Sequence, residues 1–329
     1  MRKKGLLMAI CFLIIANMLF FTGVARAEYP EKEITVISMS DPGQSSDILA
    51  RALVEGAGKY LQKPFVMEYK QGAGGMLPAS VVAAAKPDGY TICALPASGI
   101  IEGALRQKAP FKPLKSFTPI MSFCAAEHTA TVVAPDAPWK TFKEFVDYAK
   151  KNPGKVKMGI SPGSGMHIAM EFVAHQDGIN WVNVPFQGGA ASRTAVMGHH
   201  VDAASTSVDW PPFLESGQLR ALVTHGMTRS PRSPNVPTLI ELGYNFSAVV
   251  PYGFVGPAGL SPDVIAKLET ALTKGMETPE WKAALQKVYM TPFFLNNKDF
   301  GRHLRERWIE QEKLFKQFGF IKEPATQPE

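Results

Sequence analysis

From residue 33 onward, short runs rich in Ile, Val and Thr alternate with longer stretches whose apolar residues recur at helical spacing. This alternation is the strongest constraint on the fold. The β-branched runs predict strands over 33–37, 65–69, 90–94, 131–134, 155–160, 182–185, 201–205, 219–224 and 252–256. The helical patterns fall over 47–61, 76–85, 166–175, 191–197 and 299–318, with further helix starts at Thr141 and Ser261. Thr141 stands three residues before Glu144, a capping-box spacing. Ser261 precedes Pro262, which is tolerated at the first helical position. Strands alternating with helices imply α/β layers with mostly parallel sheets, and there are too many strands for one small sheet.

Three of the expected strand-to-helix turns carry glycine, with or without small hydroxyl residues, immediately before a helix: Ser40 to Asp47 (SDPGQSSD), Gln71 to Gly75 (QGAGG) and Ser161 to Gly165 (SPGSG). Such turns expose unpaired N–H groups and the positive end of the helix dipole, which together favour an anion. Each is also compatible with an ordinary capped turn, but three at strand ends in one chain favour a shared anionic ligand. None continues into Lys-Ser/Thr, which excludes a P-loop, and the second lacks the third glycine of a dinucleotide fingerprint, with Leu77 in that place.

The third turn also fits G-x-S-x-G, Gly159 to Gly163, the nucleophile elbow of serine hydrolases. The elbow draws an oxyanion donor from the residue after the serine. Here that residue is Pro162, which has no N–H, and losing one such donor costs about 10²–10³ in rate. His167 lies inside the following helix, badly placed to serve Ser161. Anion binding by Ser161, Ser164 and the N–H groups of Gly163 to Met166 is the better reading. His167 is open between a ligand donor and a packed helix residue. The other histidines lack metal-ligand spacing, and neither metal nor cofactor is expected.

At the N-terminus, Arg2, Lys3 and Lys4 precede an apolar run from Leu6 to Phe21 and then Ala25-Arg26-Ala27, the three-part layout of a secretory leader. Residues 1–27 are expected to be removed by cleavage before Glu28; an uncleaved anchor is the alternative. Residue Ile10 before Cys11 speaks against a lipoprotein. Without Arg2, Lys3, Lys4 and Arg26 the formal charge falls from +6 to +2, because no acid precedes Glu28. That gives no electrostatic case for nucleic acid. Cys93 and Cys124 sit in apolar context and are expected to be buried free thiols.

A dozen stretches in order resemble the Bug family, the solute-binding proteins of tripartite tricarboxylate transporters. They include ITVISMSDPGQSSDILAR (34–51), Gly72-Ala73-Gly74-Gly75, KPDGYT (86–91), NPGK (152–155), Gly163-Ser164-Gly165-x-His167, VPFQG (184–188), GQLRAL (217–222), Val236-Pro237-Thr238 and GPAG (256–259). The resemblance implies an α/β two-domain Venus-flytrap protein with mixed, mostly parallel sheets and two crossover strands. One domain comprises 28–126 and 250–329, the other 127–249. It implies a periplasmic protein, not an enzyme, expected to be monomeric, which hands a small organic carboxylate to the membrane subunits of its transporter. A sensor or scaffold of the same fold is the other class compatible with it. The expected ligand-binding residues are Ser40, Asp41, Gln44, Ser45, Ala97, Ser98, Ser161, Ser164, Gly165, His167, Phe186, Thr206 and Ser207.

The sequence departs from the family at Met39-Ser40-Asp41, at Gln44 in place of a glycine, at Phe186-Gln187 in place of Tyr-Lys, and at Thr206-Ser207 in place of Asp-Asn. These changes bear on the ligand, not on the fold. Asp41 is either a solvated or capping loop acid, or the partner of an ammonium group on an amino-acid ligand.

Overall fold

The computed structural model describes residues 28–40, 42–70, 76–106 and 109–321. The leader, Asp41 and the Gln71–Gly75 turn lie outside the described residues.

The chain opens with β1 (Ile34–Ser38), α1 (Ser45–Leu61), β2 (Phe65–Tyr69), α2 (Met76–Ala83) and β3 (Thr91–Pro96). A short 3-10 turn at Ala97–Gly99 leads to α3 (Glu102–Arg106), β4 (Phe117–Ala126), β5 (Ala130–Val133) and α4 (Phe142–Lys151). Then follow β6 (Lys157–Ile160), α5 (Gly165–Asp177), β7 (Val182–Pro185), α6 (Gly189–Met197), β8 (Ala203–Thr206), α7 (Pro211–Glu215) and β9 (Arg220–Thr224). The last elements are β10 (Val250–Pro257), α8 (Pro262–Glu277), α9 (Pro279–Lys287), β11 (Thr291–Leu295) and α10 (Asn297–Gln317).

These strands form two sheets, β11-β4-β10-β3-β1-β2 and β7-β6-β8-β5-β9. Among the described strands, β1–β2, β1–β3, β6–β7 and β6–β8 pair in parallel; β10–β3, β10–β4, β11–β4, β5–β8 and β5–β9 are antiparallel. The sheets are therefore mixed rather than mostly parallel. The antiparallel pairs arise where the chain leaves the first sheet through β4, enters the second through β5, and returns through β10.

The capping box forms as its spacing predicts: the Thr141 hydroxyl accepts from the Glu144 N–H while the Glu144 carboxylate accepts from the Thr141 N–H. Ser261 caps α8 through the Val264 N–H. The apolar stripe of the last helix, Phe300, Leu304, Trp308 and Phe315, is buried. Its C-terminal end lies against α5, with Phe318 facing Phe172 and the Phe320 ring 5.4 Å from that of His167. One continuous apolar cluster consequently runs from Leu95, Val255 and Phe300 to Phe145, Met158 and Ile168.

On the other face of the first sheet α1 crosses α8 at backbone contact. A Cβ at Gly275 would lie 2.2 Å from the Leu53 carbonyl oxygen. Alanine normally improves a helix by up to about 1 kcal/mol over glycine, but here the methyl group meets rigid backbone. Gly275→Ala is expected to destabilise the fold by about 1–3 kcal/mol, the usual range for overpacking. A lowered urea midpoint with unchanged slope is the expected observation; an unchanged or raised midpoint would show that the helices can separate without cost.

Candidate functional site

The loops singled out by the sequence gather at the C-terminal ends of β1, β3, β6, β7 and β8, the edge at which open α/β sheets take ligands. The two sheets meet there: Val208, just after β8, packs into the apolar cluster of the first sheet, and Arg106 at the end of α3 donates to the Pro162 carbonyl at 2.6 Å.

The first loop is tied down from within. Ser38 Oγ accepts from the Ser40 N–H, and the Ser40 and Ser46 hydroxyls are 2.6 Å apart. Ser46 also hydrogen-bonds the Tyr252 phenol, whose pKa burial pushes up. Helix α1 begins at Ser45, not at Asp47, because the Asp47 carboxylate reaches back to accept from the Gly43 N–H at 2.8 Å. That carboxylate is buried and also accepts from the Tyr69 hydroxyl at 2.8 Å and from Arg51 at 3.1 Å. Gln44 occupies the N-cap position of α1 without a side-chain cap.

The third loop differs in charge. No acidic residue stands in the first turn of α5. Ser164 is the N-cap, accepting from the His167 N–H and donating to the Ser161 carbonyl at 2.7 Å. His167 is buried, and its Nδ1 accepts from the Gly163 N–H at 2.9 Å, while Nε2 stands 3.4 Å from Glu171 Oε1. The imidazole therefore fixes the loop rather than facing Ser161. The N–H groups of Gly165 and Met166, in the first turn, have no carbonyl a turn earlier to bond. An anion is favoured more at α5 than at α1, where the buried Asp47 already opposes a second negative charge.

The candidate hydroxyls separate into two sets. Thr206 is buried, donating to the Gly189 carbonyl at 3.1 Å and facing Arg193 at 3.3 Å. Ser207 donates to Asp209, which also receives both terminal nitrogens of Arg193, at 2.9 and 3.1 Å. Arg193 is itself buried and stacked 4.2 Å from the Phe213 ring. Arg193 and its hydrogen bonds hold the Asp209 carboxyl below its ordinary pKa even though burial opposes this. By contrast, the hydroxyls of Ser45, Ser98 and Ser161, all half-buried, have no hydrogen-bond partner among the described residues. Ala97 is buried beside Ser98. Phe186 packs half-buried on the second sheet with its N–H on the Ile160 carbonyl. Gly189 is obligatory, since a Cβ there would lie 2.2 Å from the Ser207 nitrogen.

Sequence reasoning missed Asp47 as a loop anchor and missed Arg106, Arg193 and Asp209. Asp47 had a local signal, its four-residue spacing to Gly43 and Arg51, whereas Arg106 and the Arg193–Asp209 pair act through partners too distant in sequence for local spacing to mark them. No group of three or more His, Cys, Asp or Glu that could hold a metal occurs among the described residues.

Two α/β sheets linked by two crossings of the chain, with the candidate site at their adjoining edges, have the architecture of periplasmic binding proteins. The chain belongs to the tripartite tricarboxylate transporter family receptor family (TctC), whose model matches residues 49–320. It is 35% identical over 297 residues, 90% of each chain, to the UPF0065 protein in the gbd 5' region of Cupriavidus necator. Among solved structures, the periplasmic binding protein BugD superposes with TM-score 0.77 at 26% identity, covering 90% of this chain and all of its own. MatC of Rhodopseudomonas palustris, solved with bound malate, superposes with TM-score 0.74 at 24% identity, covering 87% of this chain and 99% of its own; that likeness concerns the fold. The protein is thus a solute-binding protein of the TctC/Bug family with a Venus-flytrap fold. Among the described residues no helix is long and apolar enough to cross a membrane.

Proposed function

We propose that this protein, after export and removal of residues 1–27, captures a small organic carboxylate in the cleft between two lobes and delivers it to the membrane subunits of a tripartite tricarboxylate transporter. On this reading one lobe comprises 28–126 and 250–329, the other 127–249. The observation that carries the proposal is the start of α5: a helix end with no acid in its first turn, beside the uncommitted Ser161 hydroxyl. Ser45 and Ser98 face the same need for a partner from the other lobe.

Hydrogen bonds to a charged group contribute about 1.5–3 kcal/mol each. Four or five, less the cost of ordering, reach about −8 kcal/mol, the value for micromolar binding. Hydrolysis by Ser161 is opposed by Pro162 and by the commitment of His167 Nδ1 to Gly163.

A thermal-shift series with malate, succinate, adipate, citrate, benzoate and glutamate tests the reading, since a ligand of the native state raises the melting temperature. At least one of them is expected to do so. Ser161→Ala is expected to weaken the best of them by about 1 kcal/mol, roughly fivefold, and to abolish no ester turnover. Absence of any shift, or multiple-turnover hydrolysis that disappears in the variant, overturns the proposal.

A further inference from the structure

Arg106 stands at the end of α3 with its side chain exposed, and its Nη1 reaches across to the Pro162 carbonyl. That single carbonyl is its only hydrogen-bond partner among the described residues, and no carboxylate there pairs with it. Arg51, Arg193, Arg229, Arg302 and Arg307 are each paired with a carboxylate, Asp47, Asp209, Glu241, Asp299 and Glu102 respectively, and Arg220 and Arg232, which lack one, are each spent on two or more backbone carbonyls. The guanidinium lies directly over Gly163, where an added Cβ would stand 2.0 Å from Nη1. Gly163 also has a φ of +73°, which disfavours a side chain on its own account. The cation is thereby held over the same turn whose Ser161 hydroxyl has no partner among the described residues and whose helix start carries no acid.

We propose that Arg106 is the specificity-determining cation of the cleft: it projects from the first lobe onto the Ser161–Gly165 turn of the second and pairs with the ligand carboxylate held there. This rests on the carboxylate-binding reading above. A guanidinium offers five N–H donors in a fixed fork, one of which already serves Pro162, so the remaining ones suit a carboxylate in the same plane. Because the charge comes from one lobe and the helix start from the other, only a closed cleft presents both, and an anion is selected over its neutral analogue at the moment of closure.

The test is calorimetric titration of the wild-type protein, Arg106→Gln and Arg106→Lys with whichever acid of the thermal-shift series binds best, and with the neutral amide of that acid. Arg106→Gln is expected to bind the acid about 10- to 100-fold more weakly, the loss of a hydrogen-bonded charge, and to bind the amide as the wild type does. Arg106→Lys, which keeps the charge but not the fork, is expected to fall between. Raising the salt concentration should weaken the wild type more than the glutamine variant. Equal affinity of the wild type and a folded Arg106→Gln for the acid overturns the assignment of Arg106 and leaves the carboxylate reading standing. An equal loss for acid and amide also overturns it, because it makes the role one of shape. If no acid of the series binds the wild type, the carboxylate reading falls and the role of Arg106 falls with it.

Discussion

Glu102→Gln is expected to destabilise the folded protein by about 3–5 kcal/mol, the range for breaking one partner out of a buried ion pair. Glu102 and Arg307 are both nearly inaccessible, with side chains 2% and 8% exposed. They hydrogen-bond each other, and Arg307 Nη1 also donates to the Val249 carbonyl at 2.8 Å. Glu102 Oε2 and Arg307 Nε have no other partner among the described residues. Removing the carboxylate leaves a guanidinium in an apolar setting with one carbonyl to face, and it is this stranded charge that is costly. The double substitution Glu102→Leu with Arg307→Met removes both charges and is expected to recover most of the loss. Urea unfolding of the three variants at one pH decides the matter. A glutamine variant within about 1 kcal/mol of wild type would mean that water reaches the pair, as at surface ion pairs.

Stability is expected to fall by about 2 kcal/mol between pH 7 and pH 5 on account of His225 alone. This residue is wholly buried between two threonine hydroxyls, Thr129 Oγ1 at 3.0 Å from Nδ1 and Thr131 Oγ1 at 2.9 Å from Nε2. Burial holds its pKa down to about 3, whereas an unfolded histidine titrates near 6.5. Below about pH 6.5 the unfolded chain takes up a proton that the folded chain refuses. The stabilisation is therefore complete above that pH and is lost as pH falls towards 3. Burial lowers His128 and His303 as well, adding in the same direction. Unfolding free energies at pH 7, 6 and 5 lie above the ordinary carboxylate range and so isolate the histidines. His225→Gln is expected to flatten this slope by the share of one proton; a slope identical to wild type would show that His225 is protonated in the fold. Its backbone joins the two crossings, its N–H bonding the Thr129 carbonyl and its carbonyl accepting from Ala248. Acid would therefore act first where the chain passes between the sheets.

Elements announced by local chemistry were legible in the sequence. The Thr141 and Ser261 caps and the Phe300-Leu304-Trp308-Phe315 stripe depend on residues within a few turns of one another. The missed elements are those whose local signals conflict with their place in the fold. β4 is a long buried strand interrupted in sequence by Pro119 and Ser122, and the Ser122 hydroxyl is satisfied by β11 far along the chain, donating to the Phe293 carbonyl and accepting from the Leu295 N–H. β11 contains Pro292, which weakens a strand pattern but is tolerated at the sheet edge where β11 lies. α3 and α7 are only five residues long, and α9 follows α8 through a single joint, Thr278, which ends one helix and caps the next.

The same division holds at the site. That helix starts would gather at strand ends could be read from glycine and serine spacing. Which hydroxyls remain uncommitted could not, because Thr206 is engaged by Gly189, and Ser207 by an Asp209 that Arg193 holds in place, through contacts of α6 with the end of β8 that exist only once the second sheet is assembled.

Cys93 and Cys124 lie on β3 and β4, the two strands flanking β10, opposite Val255 and Tyr252 respectively. Two strand spacings and the three-residue offset along β10 separate them by roughly 14 Å, beyond the reach of a disulfide without backbone movement. Both are free and buried, and burial pushes both thiols well above their ordinary pKa. Neither offers a thiolate to an alkylating dye under conditions that keep the protein folded. Cysteines placed at exposed Glu55 in α1 and Lys143 in α4 would be the reactive pair in the described chain. Fluorophores attached there would test whether one sheet moves against the other when an acid is added, with the native thiols left in place.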